Sequence, residues 1–552
     1  MAYIGGWQLW MAGCCPELMY NSVTGINMRR TRLAPQLWLV LLLVFCQLAA
    51  AENKALASKI EKILSEPDIS RGIWGIEVVS MTSGKPLYAY NEEKLFTPAS
   101  NTKLFTTAAA LALIGPDYKF KTTVESLGTI DKYGRLTSDL VLVGRGDPNI
   151  SGRVLPYNLR TERKLPPTQV LERLADELVQ KGLKFVDGDI VADDTYFAFE
   201  RYGEGWTQDD LVWEWGAPVS ALTINDNVIF VSILPADKPG EKAFVTITPY
   251  ADYYRLDNRI VTTPQGTGPR KIYINREPGS NQLTLWGNIP IDDAGANEAL
   301  AVEDPAHFAA TLFRSMLERR GVVIYGETRA RHNELANLST FSVTTTASIG
   351  GGDERTTFLP RTTTPAVLAT YESRPLADDI RVINKVSQNL HAELLLRLLG
   401  REKGNAGTIE SGLEVMRSFL SQAGIRGDEY VFYDGSGLSR QNLITPHAIV
   451  KLLLYANSQP WGTLFQETLP VSGTDGSLSE RFKNGSGVGV VRAKTGSLGH
   501  VNALSGYATT IKGDRVAFAI VSNNHNLTSK RALQAIDRMV EAIVEDGKKK
   551  KD

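Results

Sequence analysis

The sequence predicts an α/β protein in which one mixed domain is interrupted by a long, mostly β insertion. Three observations predict it. Strand-like and helix-like runs alternate near both ends of the chain. From about Tyr118 to Ser348 strand-like runs dominate, for example Leu140 to Val143, Ala243 to Ile247 and Lys271 to Ile274. Within that middle region only Pro167 to Lys181 and Pro305 to Arg320 carry clear helical spacing. A sheet that draws strands from near both termini, with the β-rich region looped out of it, accommodates all three.

The first element is a leader. Met28-Arg29-Arg30-Thr31-Arg32 is a basic segment, Leu37 to Cys46 is an unbroken apolar run, and Ala49-Ala50-Ala51 supplies small residues. That is the layout of a secretory signal peptide cleaved after Ala51. The apolar run is too short for a membrane span, which needs about 20 residues. Residues 1–27 match no targeting element and are expected to be a non-native extension ahead of a start at Met28. Residues 28–51 are the signal peptide, so no stable membrane span is expected after cleavage.

Beyond the leader, Asn53 to Leu64 has helical spacing, and Trp74 to Val79 and Pro86 to Tyr90 read as strands around Ser83-Gly84. A helix begins near Pro98 and stops at Gly115-Pro116. Within the insertion, Asp304 is the expected N-cap of the second helix and Gly321 its stop. Helical periodicity resumes from Asp378 to Gly400, Thr408 to Ala423 and Pro446 to Ala456. Strands are expected at Val488 to Lys494, Ala503 to Thr510 and Val516 to Ser522, with a last helix from Ser529 to Glu545. The expected domain boundaries are 52–120 plus 350–546 for the mixed domain and 121–349 for the insertion. Gly350-Gly351-Gly352 marks a linker, and 547–552 is a charged, solvated tail.

Composition removes several functions. The 552 residues suffice for several domains, and 43% apolar with 22% charged residues excludes wholesale disorder. A formal net charge of −1 leaves no electrostatic footprint for nucleic acid or an anionic membrane. Cys14, Cys15 and Cys46 all lie in or before the leader, so the exported chain has no disulfide, Cys-based zinc site or thiol nucleophile. The six histidines form no HExxH motif, and no metal or cofactor is expected. No GxSxG elbow or GxxxxGK[ST] loop occurs.

A serine enzyme without a triad must activate its hydroxyl by another route. Ser100-Asn101-Thr102-Lys103 offers one. On a helix, i and i+3 share a face. Ser100 would therefore sit in the first turn, beside the Lys103 amine and at the positive end of the dipole. If Lys103 is desolvated its pKa falls, and the neutral amine can take the serine proton. Alone, this spacing is common and equally describes a helix with an ordinary lysine. Ser387-Gln388-Asn389 is a second element, on a polar turn before the amphipathic run Leu390 to Leu399. It supplies a hydroxyl and an amide, and equally reads as a helix N-cap. Lys494-Thr495-Gly496-Ser497 is a third, on a strand. Lys494 and Thr495 suit a substrate carboxylate, Gly496 lets a ligand backbone approach, and the Ser497 N–H can face an oxyanion. It equally reads as a charged guard at a sheet edge. The ordered set SxxK, SxN, KTG is far more specific than its parts.

With those motifs the chain resembles the class C low-molecular-mass penicillin-binding proteins, the D-alanyl-D-alanine carboxypeptidase/endopeptidase family. The resemblance rests on TPASNTKLFTTAAAL around Ser100, VLVGRGDPNIS near Asp147, GDIVADDTYF near Asp193 and NKVSQNLHAELLLRLLG around Ser387. DGSGLSRQNLITP from Asp434, SGTDGSL from Ser472 and AKTGSLGHVNALSGY around Lys494 complete it. About half the chain separates Lys103 from Ser387, as a large insertion between the first two motifs requires. The resemblance implies a transpeptidase/serine β-lactamase-like domain carrying two mostly β inserted subdomains. It implies that Ser100 is acylated, Lys103 is its base and Ser387 relays a proton to the leaving amine. Asn389 would hold the substrate amide, and Lys494 and Thr495 its terminal carboxylate. The N–H groups of Ser100 and Ser497 would form the oxyanion hole. Asp193 would contact the free amine of a diaminopimelate side chain, with Leu498 lining the same subsite. Gln388 departs from the Asp often found there.

The implied partners are peptidoglycan stem peptides, with β-lactams as covalent inhibitors, and the implied location is the periplasm. Carboxypeptidase and endopeptidase action both remain open. The alternatives are a β-lactamase or esterase on the same fold, against which the long insertion speaks, and a non-catalytic cell-wall binder or sensor.

Overall fold

The computed structural model describes residues 54–155, 165–335 and 364–546. The expected extension, the leader, the Gly350-Gly351-Gly352 linker and the charged tail lie outside the described residues. Among the described residues no helix is long and apolar enough to cross a membrane.

Strands Val501–Thr509 and Arg515–Asn523 are buried at nearly every position, and runs apolar on both sides need cover on both faces. They form the middle of a five-stranded antiparallel sheet. Its order is Val491–Leu498, Val501–Thr509, Arg515–Asn523, Ile73–Ser80, Pro86–Tyr90, so strands from near both ends of the chain share one sheet. Side-chain alternation sorts the two faces. Ile76, Val78, Leu504, Phe518 and Ile520 pack with Leu56 and Ile60 of the helix at 54–64 and with Ile536 and Met539 of helix Ser529–Val544. On the opposite face Ala503, Ala517, Ala519 and Val521 meet a helical layer. Small residues there bring the helices close to the sheet.

That layer contains helices Thr102–Leu113, Leu376–Val386, Asn389–Lys403, Ile409–Gln422 and Pro446–Ser458. Thr102–Leu113 lies at its centre, buried at every position from Thr102 to Leu111. The helical periodicity from Asp378 to Gly400 proves to be two helices, interrupted at Ser387.

The middle of the chain builds its own core around a second five-stranded sheet. The order is Thr328–Asn333, Ile190–Ala198, Leu140–Val143, Lys121–Ser126, Ala366–Glu372. Among the described residues three three-stranded sheets share that core: Arg255–Thr263 with Gln282–Pro290 and Lys271–Asn275, Ala296–Ala301 with Val228–Leu234 and Phe244–Thr248, and the short Val323–Ile324 with Phe185–Val186 and Arg135–Leu136. Its two α-helices are Gln169–Gln180 and Pro305–Arg319. Asp304 caps the second as expected, accepting from the His307 N–H. One expected boundary is corrected. Ala366–Glu372 pairs antiparallel with Lys121–Ser126, so the chain leaves the inserted sheet after Glu372 and not near 350. Periodicity cannot distinguish a strand of one sheet from a strand of another.

Candidate active site

Ser100 sits in a single 3₁₀ turn, Ala99–Asn101, that runs directly into helix Thr102–Leu113. Ala99 adopts φ +48°, a left-handed conformation that is costly for a residue with a Cβ. The surroundings hold it there. Its carbonyl accepts from Thr102 Oγ1 at 3.0 Å, and Gly437 presses against the same carbonyl, where a Cβ would stand 1.9 Å from the oxygen. One turn along, Lys103 Nζ donates to Ser100 Oγ at 2.8 Å. The amine also donates to Asn389 Oδ1 and the Ser436 carbonyl, both at 2.6 Å. Lys103 is 0% exposed. Burial pushes it down to about 7, against the opposing pull of the Asp434 and Glu393 charges. An amine of that basicity is substantially neutral at neutral pH and can accept a proton.

The second motif lies where helix Leu376–Val386 ends. Ser387 has φ 63° and ψ 38°, the left-handed stop that glycine usually supplies. The reversal lets helix Asn389–Lys403 start at once, its first turn capped by Gln388, whose side chain accepts from the Leu390 N–H at 2.8 Å. Ser387 Oγ accepts from Lys494 Nζ at 2.8 Å. Asn389 faces Lys103 through its carbonyl oxygen and donates its amide to the Trp215 carbonyl at 2.8 Å.

Strand Val491–Leu498 carries the third motif along the edge of the sheet. Lys494 is fully buried. Burial first, and the Lys103 charge second, push its amine well below the ordinary lysine range. Thr495 Oγ1 lies 2.9 Å from Ser477 Oγ, so two hydroxyls stand together beside the strand. Gly496 meets the Ser100 turn closely. A Cβ there would lie 2.7 Å from the Pro98 carbonyl and 3.3 Å from Ala99 Cβ, so its lack of a side chain seats the strand against the Ser100 turn. Ser497 is exposed, and its Oγ accepts from Asn502 Nδ2 at 3.1 Å.

Three stretches far apart in the chain thus converge as two hydrogen-bonded groups, Ser100–Lys103–Asn389 and Ser387–Lys494, which the Ser387-Gln388-Asn389 turn holds next to one another. A cleft of about 250 Å³ opens over Ser100, with Asn389, Ser497 and Leu498 on its walls. Asp193 is not there. It lines a separate depression with Arg145 and Tyr196 and pairs with Arg331 at 2.9 Å. Its neighbour Asp194 turns to the opposite side and accepts from Ser220. Neither register of that strand delivers a carboxylate to Ser100.

The cleft instead holds Asp210, Trp215 and Arg440, which sequence reasoning did not single out. Asp210 Oδ2 pairs with Arg440 at 2.9 Å. Burial pushes the Asp210 carboxyl up, but hydrogen bonds from Thr207, Arg440 and Trp215 outweigh it and hold the group below the usual range. The segment from Asp434, quoted above for the resemblance but given no role there, also reaches the site. Its Ser436 carbonyl grips Lys103, while Glu393 Oε1 accepts from the N–H groups of Gly435 and Ser436. Asp434 accepts from the Gly437 and Ser439 N–H groups, Asn442 and Trp206. Among the described residues no three His, Cys, Asp or Glu side chains group as a metal-ligand set.

Comparison with known proteins shows the family and the fold. A model of the D-Ala-D-Ala carboxypeptidase 3 (S13) family matches residues 56–347 and 353–543. A D-alanyl-D-alanine carboxypeptidase of Actinomadura sp. (strain R39) is 34% identical over 498 residues, 88% of this chain and 84% of that protein. The D-alanyl-D-alanine carboxypeptidase DacB of Haemophilus influenzae is 25% identical over 447 residues, covering 79% and 82%. The crystal structure of penicillin binding protein 4 from H. influenzae superposes with a TM-score of 0.71 at 24% identity, over 88% of this chain and 98% of that one. This last likeness concerns the fold.

Proposed function

The chain belongs to the D-Ala-D-Ala carboxypeptidase 3 (S13) family, and from that premise we propose that Ser100 is the nucleophile through which it cleaves D,D-peptides of peptidoglycan stems. The observation that carries the reading is the 2.8 Å contact between Ser100 Oγ and a fully buried Lys103 amine held near neutrality.

The reaction follows from the arrangement. Neutral Lys103 takes the Ser100 proton as Oγ attacks the carbonyl carbon of the penultimate D-alanine. The resulting oxyanion is stabilised by the N–H groups of Ser100 and Ser497, the kind of preorganised donors that contribute most in acyl transfer. The C–N bond then breaks, and the departing amine takes a proton from Ser387, which takes back the one that Lys103 had accepted, so Lys103 is neutral again; Lys494 donates to Ser387 Oγ and holds that hydroxyl in place. The paired hydroxyls of Thr495 and Ser477, beside Lys494, seat the terminal carboxylate. Water finally attacks the acyl-enzyme, with Lys103 again as base. Asn389 holds the acyl-side amide. The polar end of the stem side chain lies against Asp210 and Arg440, a pair that suits a side chain bearing both an amine and a carboxylate.

The same chemistry releases a free D-alanine or the amine of a cross-linked second stem. A β-lactam acylates Ser100 in the same way, and its leaving group stays tethered. The leader places the substrate outside the cytoplasm, and periplasm is the corresponding site of action. Labelling by fluorescent penicillin tests the reading: wild type takes the label and Ser100→Ala does not. A correctly folded wild type that takes none would overturn it. Mass analysis of digested muropeptides then separates carboxypeptidase from endopeptidase products.

A further inference from the structure

The Ser387-Gln388-Asn389 turn is gripped from behind by the insertion. Gln388 Nε2 donates at 3.1 Å to Asp226 Oδ2. The other oxygen of Asp226 accepts from Arg153 Nη1 at 2.6 Å and meets His391 Nε2 at 3.1 Å. His391 lies on the helix that starts at Asn389, and its Nδ1 faces Asp379 Oδ1 at 2.7 Å on the helix that ends before Ser387. Asp226 and His391 are 0% exposed. Burial favours a neutral imidazole, but the Asp379 and Asp226 carboxylates hold His391 above the ordinary histidine value. Asp226, Arg153, His391 and Asp379 thus form one buried cluster that spans the insertion and both helices flanking the turn.

Both sides of this clasp are strained. Ser387 is left-handed, and so are Asn225, Asp226 and Asn227 in succession, at φ 53°, 58° and 54°. Non-glycine residues hold such conformations only where their surroundings over-determine them. The Asn225–Asn227 turn is pinned by Asn227 Nδ2 on the Pro218 carbonyl and Asn225 Nδ2 on the Val228 carbonyl. The Ser387 turn has the cluster. Gln388 couples the two, with its carbonyl oxygen capping the following helix and its amide on Asp226.

We propose that Asp226, contributed by the insertion, is a positioning residue for acyl transfer. Through Gln388 and His391 it fixes the turn that presents Ser387 to Lys494 and Asn389 to Lys103. The proposal rests on the roles assigned above to Ser100, Lys103 and Ser387. It gives the departure at position 388 a physical reason: an Asp there would set a carboxylate against Asp226, whereas Gln donates to it.

The test measures the acylation rate constant at saturating fluorescent penicillin, together with affinity and thermal midpoint. Gln388→Leu removes the donor to Asp226 and the cap on the Leu390 N–H at similar volume; the midpoint drops as the lost cap requires, while the rate constant of the folded protein falls roughly 10- to 100-fold with affinity little changed. Gln388→Glu falls at least as far. Adding Asp226→Asn to Gln388→Glu restores a hydrogen bond across the pair and recovers about tenfold, the coupling expected of direct partners. Wild-type rate in Gln388→Leu, a loss that merely tracks the unfolded fraction, or a double variant no faster than Gln388→Glu would overturn the positioning role. A wild type not acylated at Ser100 would instead sink the nucleophile assignment.

Discussion

Lys103 Nζ donates to Asn389 Oδ1 across 2.6 Å, joining the helix that follows the Ser100 turn to the helix that begins at Asn389. As an ammonium the group has three acceptors, Ser100 Oγ, Asn389 Oδ1 and the Ser436 carbonyl; as a neutral amine it keeps two N–H donors for Asn389 and Ser436 and turns its lone pair to the Ser100 hydroxyl, with no solvent exposure. Taking the Ser100 proton is thus a change of charge inside a closed, prearranged set of dipoles.

Lys103→Ala is expected to slow penicillin acylation by about 10²–10⁴-fold, the usual worth of general-base help. The fold should survive, because the variant removes a buried amine along with its desolvation cost. Stopped-flow labelling, with circular dichroism as the folding control, checks this. Near-normal acylation would mean that another group takes the proton.

The pH dependence has a definite sign. Lys103 is lowered to about 7, so below that pH it is protonated and cannot act as base. Acylation should fall about tenfold per unit on the acid side and level off above neutrality. A rate flat between about pH 5.5 and 8.5 would contradict a neutral-amine base.

Gly496→Val places side-chain carbon against the Pro98 carbonyl and Ala99 Cβ. Overpacking of this kind costs about 1–3 kcal/mol. The larger effect should be on rate, roughly a hundredfold, because the strand and the Ser100 turn are pushed apart. Acylation kinetics set beside thermal melting separates the two effects.

Asp434→Ala strands buried donors of Gly437, Ser439 and Asn442. Hydrogen bonds to a charged partner are worth about 1.5–3 kcal/mol each, so a loss of ~3 kcal/mol or more is expected in denaturant titration. The loop that offers the Ser436 carbonyl to Lys103 should loosen, and residual folded protein should acylate slowly.

Asp210→Asn tests the side-chain subsite. Stem peptides ending in an amine-bearing residue should show a raised KM with kcat little changed, while peptides lacking that amine should be nearly indifferent. Equal effects on both would remove Asp210 from substrate recognition.

How far the sequence reaches depends on the range of the interaction. SxxK is legible because i and i+3 on a helix are neighbours by construction, and Ser100 and Lys103 do meet. The insertion is legible because period-two runs differ from period-3.6 runs over long stretches. Of the two residues expected to share a subsite, Leu498 lies on the cleft wall and Asp193 in a separate depression, because a one-residue alternation within a strand says which side a residue faces but not what lies on that side.

The sequence alone determined the chemistry on offer: a hydroxyl, an amine one turn away, an SxN turn and a KTG strand, in an order that few folds use. Only the tertiary structure decided the environment that makes them reactive. Burial lowers Lys103, Gly437 and Gly496 let two backbones close on the Ser100 turn, and Asp210, Arg440 and Asp434 arrive from loops with no periodicity to read. Desolvation and close packing are properties of surroundings, and surroundings are assembled from residues hundreds of positions apart.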